Sequence, residues 1–113
     1  CAIEMMGAYA YYQVLRCNPG GLFGMVLVLE GSSVALALSA ADAIQAHLGL
    51  PDTAFSYLRS HGALDQEHMV HFANVVNRLD SPEDQAAVIH CAQMFYRLYG
   101  DIFRSLPMAG VSA

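Results

Sequence analysis

The stretch from Leu22 to Leu48 constrains this chain most. It is apolar, rich in Ala, Leu and Val, and contains no Pro and no turn signal. Met25-Val26-Leu27-Val28-Leu29 taken alone favours β structure. The apolar character continues through Val34-Ala35-Leu36-Ala37-Leu38 and Ala40, however, which is too long for a strand. The segment therefore reads as a buried helix. Gly49 followed by Pro51 closes it as a helix C-terminus is usually closed.

Three more helical segments surround it, and no strand is convincing. The first runs from about Ala2 to Arg16 and stops at the turn Asn18-Pro19-Gly20-Gly21. The third starts after Asp52, an N-cap residue type, and reaches about Leu79. A bend is expected near His61-Gly62, because Gly weakens a helix interior. The fourth starts at Ser81-Pro82-Glu83-Asp84, which combines an N-cap Ser, Pro at the first helical position and acids in the first turn. It ends near Leu106-Pro107. The expectation is an all-α fold, a helical bundle, with one domain over residues 1–106 and a tail over 107–113.

Charged residues make up only 13% of the chain and hydrophobic ones 56%. A free-standing domain carries charge at roughly a quarter of its positions. Some apolar surface should therefore be covered from outside, by a second copy of the chain or by further sequence. Cys1 opens straight into the first helical pattern, which reads as a chain lacking its N-terminal helices. There is no Lys, and the five Arg residues are scattered at a net charge of −5, so nothing resembles a nucleic-acid footprint. The apolar run Leu22 to Leu29 ends at Glu30, short of the roughly 20 residues a membrane span needs. No membrane partner is expected. Three Cys without paired spacing argue against a disulfide framework or zinc knuckle, and point to a reducing cytoplasm.

Two features carry chemistry. The first is His61-Gly62-Ala63-Leu64-Asp65-Gln66-Glu67-His68. On a helix turning about 100° per residue, His61, Asp65 and His68 fall within a sector of roughly 60°. Two imidazoles and a carboxylate on one face suit non-haem iron, with manganese or zinc as competitors. Asp65-x-x-His68 also has the carboxylate-x-x-His spacing of helical-bundle di-metal sites. The plainer alternative is three partly solvated polar residues near a bend. Phe72 on the same face argues that the face is inward, where ionisable groups need partners or a metal. The second feature is Glu30, set in the most apolar helix. A carboxylate there must be paired, protonated or coordinating. Arg16, Arg59 or Arg97 as partners, or a narrow polar stripe, remain open.

Leu27-Val28-Leu29-Glu30-Gly31-Ser32-Ser33, followed by His61-x-x-x-Asp65-x-x-His68, resembles the heme-oxygenase-like di-iron oxidases, also called the iron-containing redox enzyme family. The resemblance covers about residues 20 to 105 and their C-terminal part. These proteins share the helical heme-oxygenase-like fold with the TenA thiaminases and the pyrroloquinoline-quinone synthases. The resemblance implies that Glu30, His61, Asp65 and His68 are metal ligands, with Glu30 the expected bridge. It further implies one or two iron ions, dioxygen as co-substrate and a small organic molecule as substrate. The family also uses a Glu and a His with six residues between them on an earlier helix. No such pair precedes Glu30 here, since Tyr11 stands seven after Glu4. Four of six ligands match.

The function implied is an iron-dependent oxidase or oxygenase. Two alternatives remain. One is a metal-free TenA-like hydrolase of a thiamin-like ligand, with Cys91 as nucleophile beside Glu30. The other is a non-catalytic module that forms a homo-oligomer through its apolar surface. Of the remaining residues, His71 and His47 read as solvated, while His90 reads as a core histidine and Cys91 as a buried thiol. Tyr9, Tyr11 and Tyr12 with Met5 and Met6 read as plain core, or as the lining of a substrate pocket.

Overall fold

The computed structural model describes residues 1–107, Ala63 by its backbone alone; residues 108–113 of the expected tail lie outside the described residues. The described chain is all-α, with four helices: α1 (Ala2–Arg16), α2 (Phe23–Leu48), α3 (Ser56–Val76) and α4 (Pro82–Arg104). The Asn18-Pro19 turn winds into a short 3₁₀ segment, Pro19–Leu22. The Asn18 side chain caps it by accepting the Gly20 amide at 2.9 Å. Gly49 ends α2 with φ of 64°, the left-handed geometry that Gly adopts without a Cβ penalty. The N-cap signal at Asp52 opens a second 3₁₀ segment, Asp52–Phe55, so α3 begins later than the spacing predicts. It also ends earlier, and Arg78 and Leu79 complete 3₁₀-type turns on the carbonyls of Val75 and Val76.

Helix α3 runs continuously through His61-Gly62. Gly62 serves close approach. A Cβ there would sit 3.0 Å from Leu38 Cγ and 3.6 Å from Ala37 Cβ. Helix α2 likewise continues through Glu30. By length and composition the segment Pro19–Leu48 is long and apolar enough to cross a membrane, so the apolar stretch is longer than the run ended by Glu30 suggests.

The chain forms two compact units. One is Cys1–Met25 together with the chain from Glu83 onward; the other is Val26–Pro82. In the first, Phe95 and Cys91 of α4 are fully buried. The Tyr9 ring meets Phe95 edge-on at 5.2 Å between centroids. At Gly24, a Cβ would run into the backbone of Val88, Cys91 and Ala92, so only Gly allows this approach. Buried Gln13 donates to the Asn18 carbonyl at 2.8 Å, and Asn18 Nδ2 donates to Asp84 at 2.6 Å.

The second unit is built on an antiparallel pairing of α2 with α3. Gly31 lies against Met69, Leu38 against Gly62, and Asp42 pairs with Arg59 at 2.8 Å. Partner numbers rise along one helix as they fall along the other. Val28, Ala37, Ala41 and Phe55 supply the apolar core. Small residues at the contact, Gly31 and Ala37 on α2 and Gly62 on α3, let the two helices pack closely.

Candidate metal centre

The α2–α3 register brings three donor side chains together. Donor atoms of Glu30, Asp65 and His68 all lie within 4.8 Å of one another. His68 Nδ1 stands 3.6 Å from Glu30 Oε2 and 3.6 Å from Asp65 Oδ1. Asp65 and His68 share a face because they are three apart on α3. Glu30 joins them from α2 because Gly31 packs beside Met69. Bonds of about 2.0–2.2 Å to a first-row metal place two ligand atoms at most about 4.4 Å apart. The three donors thus need to move only a few tenths of an ångström to close on one ion.

Their surroundings differ by depth. The Asp65 side chain is 8% exposed, Glu30 34% and His68 55%, so the donors run from buried to solvent-exposed. A buried carboxylate requires a compensating cation or hydrogen-bond donors. The His68 ring provides that charge only when protonated. A metal ion would take the same position against both carboxylates, since ligation needs the neutral imidazole. Two carboxylates and one imidazole form a hard-to-borderline donor set that fits iron, with manganese and zinc compatible.

His61 stands apart from this group. Its Nδ1 lies 3.0 Å from the Tyr57 carbonyl, one helical turn back. Its ring stacks on the Tyr57 ring with centroids 3.9 Å apart and planes at 29°. Of the four residues expected as ligands, the structure brings three together. Tyr57 was not anticipated; its place four before His61 on a helix was the available signal. Arg59, one of the partners considered for Glu30, pairs with Asp42 and donates to Gln45 instead.

Several other expectations are revised. His90 is exposed, not a core histidine. Met5, Tyr11 and Tyr12 are 55–73% exposed, so most of the α1 aromatic set is surface and not core. The face holds a shallow groove lined by Ala10, Tyr11, Val14 and Leu15. Tyr9 alone of the three tyrosines turns inward, where burial and the neighbouring Cys91 push its hydroxyl up to about 12. Cys91 is fully buried, and burial raises its thiol above the ordinary range. A thiol so placed is a poor nucleophile.

The family described as iron-containing redox enzymes matches residues 1–100. The chain belongs to that family. At this level it is an oxidoreductase-family protein in which iron is the expected cofactor, and its all-helical architecture agrees. No curated protein and no solved structure matches the chain.

Proposed function

We propose that this iron-containing redox enzyme family member binds one non-haem iron through Glu30, Asp65 and His68, and uses it in dioxygen-dependent oxidation of a small organic substrate. The observation that carries the reading is the convergence of three donor atoms within 4.8 Å around a buried carboxylate. Bound iron would supply the redox chemistry that no side chain offers. The chain's own residues divide the remaining work. Asp65 would anchor the ion from the buried side, where low dielectric would strengthen its hold on a cation. Glu30 reaches in from the facing helix and keeps part of its carboxylate accessible. His68 stands at the solvent-facing edge of the cluster. Three protein donors would leave positions open on a bound ion for further ligands.

The reading also includes a second copy of the chain as partner. Ile3, Tyr11 and Leu15 leave 62–73% of their surface exposed on one helix, an apolar face that association would cover. A chain that sediments as a monomer at micromolar concentration ends that part.

The main test is metal content by elemental analysis after anaerobic Fe(II) loading and desalting. Wild type is compared with the Asp65→Ala, His68→Ala double variant. Iron retained near one equivalent in wild type and lost in the variant is the expected result. Equal retention in both moves the metal elsewhere, and no retention in wild type ends the proposal.

A further inference from the structure

We infer that α4 pairs antiparallel with α4 of a second copy of this chain, along a stripe made by Ile89, Tyr96 and Phe103. The inference rests on the second-copy part of the reading above and names the surface and its orientation.

Helix α4 has two apolar faces. One carries Val88, Cys91 and Phe95, which are buried in the first unit. The other carries Ile89, Tyr96 and Phe103, which are 60%, 72% and 56% exposed. These three are spaced by seven, so they form one row that drifts by only about 20° per step. A neighbouring helix crossing at about +20° follows such a row. Ala92 and Tyr99 stand three after Ile89 and Tyr96, at the second apolar position of a heptad. The Tyr99 ring meets Phe103 edge-on at 5.0 Å, so part of the stripe is ordered before a partner arrives. Tyr96 and Phe103 alone offer about 250 Å² toward the roughly 800 Å² per partner of a standard interface.

Charge decides the occupant and its direction. Glu83 and Asp84 lie in the first turn of α4 and Arg104 in the last. Glu83 and Arg104 stand three steps of seven apart, so they flank the stripe on the same side. Gly100, between Tyr96 and Phe103, leaves room for the Arg104 guanidinium; a Cβ there would sit 2.9 Å from its nitrogens. Asp101 at 2.8 Å and the Arg97 carbonyl at 3.2 Å hold the guanidinium in that place, beside the stripe. A parallel pair would set Arg104 against Arg104 and Glu83 against Glu83. An antiparallel pair sets each Arg104 toward Glu83 of the other copy and points the two helix dipoles in opposite directions. Such a pair has a twofold axis, so the surface need only be complementary to itself. A second copy therefore satisfies the stripe and both charged ends together.

The test is sedimentation equilibrium of the whole chain, for wild type, Tyr96→Ala, Tyr11→Ala, Glu83→Arg, Arg104→Glu and the Glu83→Arg, Arg104→Glu combination. Wild type should be dimeric at micromolar concentration. Tyr96→Ala removes an exposed ring and leaves the buried face intact, and should weaken the dimer about thirtyfold or more. Each charge reversal alone should weaken it about three- to thirtyfold, because two symmetric contacts turn repulsive. The combination should return to wild-type affinity, since both contacts re-form with their signs exchanged. Failure of the combination to restore what the single reversals lose overturns the antiparallel pairing. Dimerisation unchanged in Tyr96→Ala but lost in Tyr11→Ala overturns the inference and leaves a second copy seated on α1. A monomeric wild type overturns both.

Discussion

The two compact units solve the same packing problem differently. In the first, α4 meets α1 and the start of α2 through Phe95, Cys91, Tyr9 and the close approach at Gly24. In the second, α2 and α3 also approach through small residues, at Gly31, Ala37 and Gly62. The difference lies in what fills the interior. The first unit buries the Phe95 ring, a thiol and the uncharged, hydrogen-bonded Gln13 amide, while the second buries the Asp65 carboxylate with Glu30 and His68 beside it. An apolar interior contributes stability in proportion to area buried. A buried carboxylate costs stability unless something compensates it. The second unit therefore carries a buried charge that its packing must offset, and the first does not.

The sharpest way to break this contrast is to cross a site variant with a core variant. Asp65→Asn keeps the shape and removes the charge. Since even outer-shell partners cost about 10–100-fold in metal affinity, a direct ligand should cost at least about a hundredfold. Its urea midpoint should stay close to wild type. Phe95→Ala should do the reverse, losing roughly 3–5 kcal/mol of stability by denaturant unfolding. The iron bound per folded chain should stay the same. If Phe95→Ala removes iron from folded protein, or Asp65→Asn leaves it bound, the division between the units fails.

A smaller effect separates the two glycine contacts. At Gly24 an added methyl meets backbone that cannot yield, so Gly24→Ala should cost about 1–3 kcal/mol. At Gly31 the nearest atom to that methyl is the flexible end of Met69 at 3.8 Å. Gly31→Ala should therefore gain about 0.5–1 kcal/mol from helix propensity. Equal signs for the two changes in thermal unfolding would show that the backbone at Gly24 and the Met69 side chain at Gly31 yield alike.

The smallest effect is confined to alkaline pH. Burial raises the Tyr9 hydroxyl from the ordinary phenol value to about 12, so the folded chain holds that proton more tightly than the unfolded chain does. Its contribution is fully present below about pH 10 and is lost as pH rises through about 12. Wild type should lose stability over this window more steeply than Tyr9→Phe. Parallel pH profiles for the two chains would remove Tyr9 from the first unit's interior.

The sequence by itself determined the four helices, because caps, turn residues and apolar periodicity are local properties. It singled out Glu30 by the cost of a carboxylate in an apolar helix. It paired Asp65 with His68, since a spacing of three on a helix needs no tertiary information. It placed His61 on the same face, but spacing is silent on rotamer, and a stack with Tyr57 decides where that ring goes. Periodicity likewise marks an apolar face on α1 without saying whether anything covers it. That is why Tyr11 and Tyr12 read as core and are exposed. Only tertiary structure decided that Glu30 meets Asp65 and His68. That contact depends on the register of α2 against α3, set by Gly31 beside Met69 and Gly62 beside Leu38. Register between two helices is a property of both packed surfaces together, and neither sequence segment carries it alone.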